Sequence, residues 1–129
     1  MICEKDLTVS GALGEYLEAI YALSEEKKCV RITDISMHLG TSKPSVNRAV
    51  NVLCDKGYVF HKPYGDIILT DMGKEAGLSL SRRRSVITKF LTGILHIPYE
   101  RALKEAGYIE RGISSDTIEQ MGLLTNSDI

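Results

Sequence analysis

No apolar run in these 129 residues approaches the roughly 20 that a membrane span needs, and the amino terminus, MICEKDLTVS, lacks the apolar core of a signal segment. The two absences point to a cytoplasmic protein with no membrane partner. Cysteine is scarce and odd in number. Cys3, Cys29 and Cys54 form no CxxC pair and match no zinc spacing, so they read as reduced thiols, with Cys54 partly buried. His38, His61 and His96 lie far apart, with no HxH or HxxxH pair, and read as surface or partly packed side chains. There is no internal repeat and no low-complexity stretch. No nucleophile is paired with a base, no glycine loop can cradle phosphate, and no nitrogen ligands are set for a metal-bound water, so the chain is not expected to be an enzyme. The net charge of -1 also withholds the overall positive charge of many nucleic-acid binders.

What is present describes an ordinary globular protein: 43% hydrophobic and 26% charged residues, long enough for one domain or two small layers sharing a core. Leu13, Tyr16, Leu17, Ile20 and Leu23 form a helix-spaced stripe, which predicts a first helix from about Ala12 to Glu26. Glu15 and Glu18 project together from its other side, either as a solvated face or as half of a site. Arg31-Ile32 is β-compatible. Thr33 or Asp34 then caps a short helix carrying Ile35 and Leu39, ended by Gly40. Ser42 is a good N-cap for a third helix, with Pro44 in its first turn and Val46, Ala49, Val50, Leu53 and Cys54 on one face. Two helices joined by Gly40-Thr41-Ser42 have the size of a helix-turn-helix. Two β-favouring runs follow, Tyr58 to His61 and Ile67 to Thr70, joined by Lys62-Pro63-Tyr64-Gly65-Asp66. A helix-turn-helix followed at once by a hairpin is a winged helix.

Beyond it, a long helix from about Asp71 to Leu95 offers Leu80, Ile87, Phe90, Leu91 and Ile94 for packing. Another runs from Pro98 to about Arg111, and Ser114 caps a last one carrying Ile118 and Met121, with a frayed tail GLLTNSDI. The expected fold is mainly α: a winged helix-turn-helix over residues 1–72, then helices over 73–129 of the kind that commonly builds a dimer surface.

The outward face of the third helix holds Pro44, Asn47, Arg48, Asn51 and Asp55, with Lys43 and Ser45 at its amino-terminal end. Between residues 43 and 64 Lys43, Arg48, Lys56 and Lys62 face Asp55 alone, and Arg82, Arg83 and Arg84 form a second basic run. Residues at the start of a recognition helix reach base edges, and lysines, hydroxyls and backbone amides hold phosphates. Asn47 and Arg48 have bidentate donors suited to adenine and guanine edges. Lys62 and Tyr64 in the wing reach phosphate or an adjacent minor groove. The expected DNA-binding residues are therefore Ser42, Lys43, Pro44, Ser45, Asn47, Arg48, Asn51, Lys62 and Tyr64.

The stretch EYLEAIYALSEEKKCVRITDISMHLGTSKPSVNRAVNVLCDKGYV, residues 15–59, resembles the metal-dependent repressors typified by the diphtheria toxin repressor and the manganese transport regulator. YGDIILTDMGKEA resembles that family's wing and following helix, and IERGISSDTIEQM its second-domain motif. The resemblance spans nearly the whole chain and fits the short branch, which has no C-terminal barrel. It implies a homodimeric winged-helix regulator, a repressor in kind, with a DNA-binding domain over 1–72 and a helical dimerisation and degenerate metal-site domain over 73–129, bound to a palindromic operator in double-stranded DNA, with Mn2+ or Fe2+ joining the first helix to the second domain. Carried over residue by residue, the metal positions are Glu15, Glu18 and Glu110. The family's histidines are replaced by Arg84 and Arg111, its cysteine or glutamate by Gly107, and two ancillary positions by Thr88 and Leu103.

A guanidinium stays protonated and has no lone pair for a cation, while it forks well onto carboxylates. The ligand set is incomplete and assigns no cofactor. Arg84 and Arg111 are expected to supply, through ion pairs, the positive charge that a metal supplies elsewhere. The reading is a DNA-binding regulator with metal control altered or lost. Its alternatives are a working Mn/Fe-responsive repressor with a reduced carboxylate site, and a winged-helix protein-interaction module.

Overall fold

Residues 11–63 and 65–127 are described by the computed structural model. They fall into two compact units divided between Ser79 and Leu80.

In the first unit, α1 (Gly11–Glu26) buries Leu17, Ala19, Ile20 and Leu23, so the expected apolar stripe is the core face, widened by Ala19. A short turn leads to α2 (Ile32–Leu39). The anticipated β-compatible pair Arg31-Ile32 takes another form. An isolated β-bridge falls at Val30, whose carbonyl accepts from the Ile67 amide at 2.8 Å, and Ile32 is already helical. The cap also moves. Arg31 is the N-cap, and Asp34, three residues on, accepts from the Arg31 amide at 2.9 Å. Asp34 thus acts from inside the first turn, where its charge suits the positive helix end. Lys27 Nζ lies 2.7 Å from the same carboxylate. With the Arg31 amide, it holds the Asp34 carboxyl below its usual value.

Gly40 ends α2 in the left-handed region, φ 67° and ψ 35°, which suits a residue without Cβ. Ser42 caps α3 (Lys43–Asp55), and Pro44 sits in its first turn. Val46, Ala49, Val50 and Leu53 are buried, and Cys54 half-buried, as the pattern predicts. Strands β1 (Val59–His61) and β2 (Ile67–Leu69) pair antiparallel, Val59 with Leu69, Phe60 with Ile68 and His61 with Ile67. Val59, Ile67 and Leu69 face the core, and Phe60 and Ile68 face out. Helix α1 packs on α2, α3 and β2, and α3 packs on α2 and β1, which leaves the outer face of α3 uncovered within this unit.

Helix α4 (Asp71–Gly93) starts at a cap not foreseen from the sequence. Thr70 Oγ1 accepts from the Gly73 amide at 3.0 Å and donates to the Gly57 carbonyl at 2.7 Å. This joins the end of the wing to the start of the helix.

In the second unit, Ile87, Leu91, Ala102, Ala106 and Ile118 form the buried cluster, flanked by Val86, Phe90, Ile97, Ile109, Ile113 and Met121. They come from α4, α5 (Tyr99–Gly112) and α6 (Ser115–Ser127). Ser114 Oγ accepts from the Thr117 amide at 3.2 Å, the expected cap. The tail expected to fray is helical through Ser127, and Asp128 and Ile129 lie outside the described residues. Ile118 and Met121 pack inward and anchor α6, so the helix propagates past the last apolar contact. The observed fold is mainly α, a winged helix-turn-helix followed by helices.

Candidate nucleic-acid interface and the polar cluster of the second unit

Helix α3 has two unlike faces. Val46, Ala49, Val50 and Leu53 lie in the core, while Lys43, Pro44, Asn47, Arg48, Asn51 and Asp55 are exposed and Ser45 is half-buried. The expected reading face is therefore collected on one side of one helix. Its amino-terminal end is organised by hydroxyls. Ser42 Oγ accepts from the Ser45 amide at 3.3 Å and donates to Ser45 Oγ at 2.9 Å. Arg48 Nη2 donates to Ser45 Oγ at 3.3 Å. This chain was not anticipated from the sequence, although the i, i+3 spacing of Ser42, Ser45 and Arg48 carries the signal. Lys62 is exposed at the wing, whose loop closes through Lys62 N–H to Asp66 O at 3.1 Å and Gly65 N–H to Lys62 O at 2.9 Å. Tyr64 lies outside the described residues.

The first-helix carboxylates Glu15 and Glu18 are half-buried, unlike Glu25 and Glu26 on the last turn of α1, which are exposed. They are not a freely solvated face.

The second unit sets Arg84 against Gly107, with Glu110 one turn further along the same buried side of α5. Glu110 is only 8% exposed, on the buried side of α5 with Ala102, Ala106 and Gly107. A Cβ added at Gly107 would stand 2.1 Å from Arg84 Nη2. The guanidinium of Arg84 therefore fills the volume that any side chain at 107 would enter. Arg83, noticed in the sequence only as part of a basic run, donates from Nη1 to Ser115 Oγ at 3.0 Å and from Nη2 to the Glu110 carbonyl at 3.1 Å. It ties α4 to the end of α5 and the start of α6. Arg111 is exposed, with its guanidinium carbon 5.8 Å from the centroid of the Tyr108 ring, a cation–π distance. Thr88 is buried and donates to the Arg84 carbonyl at 2.8 Å, and Leu103 is 41% exposed. The first is used in an internal helix bond and the second has no donor atom.

A divalent cation requires lone pairs from carboxylate, imidazole or thiolate. In the second unit the guanidinium of Arg84 occupies the space beside Gly107, and it offers only positively charged donors. The residues of this cluster do not fit a metal. Within each unit, no group of three or more His, Cys, Asp or Glu is gathered among the described residues.

His38 and His96 are exposed and His61 is half-buried. The thiol of Cys29 is held above its usual pKa by a hydrogen bond to Asp66 and by that residue's charge, and burial raises Cys54. Both shifts oppose thiolate formation, and Cys3 lies outside the described residues. No helix of the described residues is long and apolar enough to cross a membrane.

Residues 9–67 match the profile described as the iron dependent repressor, N-terminal DNA binding domain, and residues 70–127 match the iron dependent repressor, metal binding and dimerisation domain. The chain is 31% identical over 111 residues to the HTH-type transcriptional regulator MntR of Bacillus subtilis (strain 168), covering 86% of this chain and 78% of that protein. The MntR of Bacillus pumilus (strain SAFR-032) is 32% identical, with 86% and 76% covered. Among solved structures, the T. acidophilum IdeR superimposes with a TM-score of 0.77 at 27% identity, covering 87% of this chain and 53% of that one. The manganese regulator SloR gives 0.78 at 26%, covering 88% and 53%. This chain thus spans about half the length of those two structures. Both parts of the family's architecture are matched, in order, along one chain, and it belongs to the iron-dependent repressors, a family of DNA-binding transcriptional regulators rather than enzymes.

Proposed function

We propose that this protein is a transcriptional repressor that binds a two-fold symmetric DNA site as a homodimer and does not need a divalent metal to do so. The observation that carries the second half is the guanidinium of Arg84 lying where a side chain at Gly107 would project. In the resembled family both positions hold metal ligands. Here one is a permanent cation and the other has no side chain. In this reading arginine supplies the positive charge that a metal supplies elsewhere, and the DNA-competent form is the standing state. Support for the first half comes from the exposed polar face of α3, capped by Ser42 and carrying Lys43, Asn47, Arg48 and Asn51, with Lys62 on the wing. A dimer of such units reads half-sites about one helical turn apart.

The test is fluorescence anisotropy of the purified protein on duplex DNA from upstream of its own gene, first in EDTA and then with manganese or ferrous iron. Tight, salt-sensitive binding in EDTA, unchanged by metal, is the expected result. Binding that appears only with metal overturns the metal-free reading and returns Glu15, Glu18 and Glu110 to the role of a reduced sensor. No salt-sensitive binding under either condition overturns the DNA reading in favour of a protein-interaction module.

A further inference from the structure

We infer that Arg48, rather than Asn47, is the residue that sets base specificity, that the base it reads is guanine, and that Ser45 is the positioning residue that aims it. The inference rests on the proposed DNA-binding function and deepens it.

Both side chains lie on the exposed face of α3. They differ in how they are held. Long helical side chains lean toward the amino terminus. Arg48 does so, and Nη2 bonds Ser45 Oγ at 3.3 Å, one turn back. Its head therefore lies over the first turn of α3, the part of a recognition helix that goes deepest into a major groove. Asn47 makes no side-chain hydrogen bond among the described residues and must be ordered on binding. Fixing a free polar side chain opposes binding, so the pre-aimed group holds the advantage.

The donor count agrees. Ser45 Oγ accepts twice, from Ser42 Oγ and from Arg48 Nη2. Both of its lone pairs are then in use, and its own proton is left to donate outward, toward a phosphate. Arg48 spends a single N–H on Ser45 and keeps the rest of its fork, including Nη1 and Nε. Paired N–H groups of that kind match the O6 and N7 acceptors of guanine, and they find no such pair on adenine, thymine or cytosine. Ser42 fixes the origin of the chain because it is also the helix cap. The three residues form one relay, Ser42 to Ser45 to Arg48, that ends in the reading group.

The experiment is selection from a random-sequence duplex pool by the full-length protein, followed by affinity measurements on every single-base variant of the selected site. Wild type is expected to select a two-fold motif with one strongly preferred G·C pair in each half. Arg48→Ala should lose roughly tenfold to a hundredfold in discrimination at that pair alone. Ser45→Ala should keep the same preferred base but lose about two- to fivefold of the preference, and Ser45→Thr, which retains the hydroxyl, should restore it. Asn47→Ala should leave that pair untouched.

A uniform loss of affinity across all sequences on Arg48→Ala, with the salt slope reduced by about 1, would make Arg48 a phosphate contact and overturn the inference alone. Loss of the G·C preference in Asn47→Ala would also overturn it. Salt-sensitive binding of wild type with no selected motif, or no binding at all, would bring down the DNA-reading function together with the inference.

Discussion

Two buried glycines, one in each unit, meet an obstacle at almost the same distance. A Cβ on Gly73 would stand 2.0 Å from the carbonyl oxygen of Tyr58, and one on Gly107 would stand 2.1 Å from Nη2 of Arg84. The numbers are alike and the chemistry is not. At Gly73 backbone meets backbone: the first turn of α4 lies directly on the end of α3 and the start of β1, fixed there by Thr70. At Gly107 the obstacle is the far end of a long side chain. The first glycine is required here by the close approach of α4 to the Tyr58 carbonyl. The second is one half of an exchange, in which a missing side chain on α5 is matched by a large one on α4. In the first unit backbone closes on backbone, and in the second a side chain fills the space of an absent one.

The largest expected effect tests the first half of that contrast. Gly73→Ala should lower stability by about 3 kcal/mol, read as a shift in the urea midpoint, because neither the carbonyl nor the helix can yield without breaking the Thr70 cap. Better helix propensity returns at most about 1 kcal/mol of it. An unchanged midpoint would mean that the wing-to-helix junction is softer than its hydrogen bonds imply.

Gly107→Ala should cost less, about 1 kcal/mol, since a guanidinium can swing aside where a carbonyl cannot. Its sharper form is a double-mutant cycle. With Arg84→Ala as background, the added methyl has room, and the penalty should fall close to zero. Strict additivity would separate the two positions and remove the main support for an arginine-filled site.

The same contrast explains what was readable without coordinates. Periodicity found the core faces of α1 and α3 because burial repeats with the helix: Leu17, Ile20, Val46, Val50 and Leu53 are all 0% exposed, and each belongs to a predicted stripe. Turn chemistry found Gly40, Ser42 and Ser114 because a cap is a local event. What was missed depends on contacts between distant segments. The Val30–Ile67 bridge displaced the expected strand at Arg31-Ile32, Thr70 capped α4 by reaching back to Gly57, and Arg83 joined three helices. Gly107 and Arg84 were each seen as departures from a family pattern, but nothing in a linear sequence says that one occupies the space of the other.

A smaller effect probes charge in the first unit, where it is shallow and local. Asp34→Ala removes the carboxylate that serves both the Arg31 amide and Lys27, and should cost somewhat under 1 kcal/mol at pH 7 for a surface cap. The sign with pH follows from the lowered pKa of Asp34, caused first by Lys27 and then by the Arg31 amide. The stabilisation is complete above the ordinary carboxylate value and is lost as the pH falls through the lower folded value. Melting temperatures of wild type and variant should therefore converge in strong acid. A gap that persisted there would point to the loss of side-chain packing rather than of charge.

The smallest effect concerns a place where glycine is wanted and absent. His96 has a φ of 59°, the one positive value among the described non-glycine residues, and it is exposed in the link between α4 and α5. An L-residue held there is disfavoured by roughly 1–2 kcal/mol, although histidine tolerates the region better than most. Glycine would relieve the strain and give back part of the gain, because it has more conformational freedom to lose on folding. His96→Gly should therefore raise stability by only about 0.5 kcal/mol. Read beside Gly73→Ala and Gly107→Ala, it isolates backbone conformation from collision: nothing needs to move at 96, whereas a carbonyl blocks 73 and a guanidinium blocks 107. If His96→Gly instead destabilised the second unit, the imidazole would have to contribute a contact worth more than the strain it sits on. The link would then count as a structural part of that unit and not as a connector.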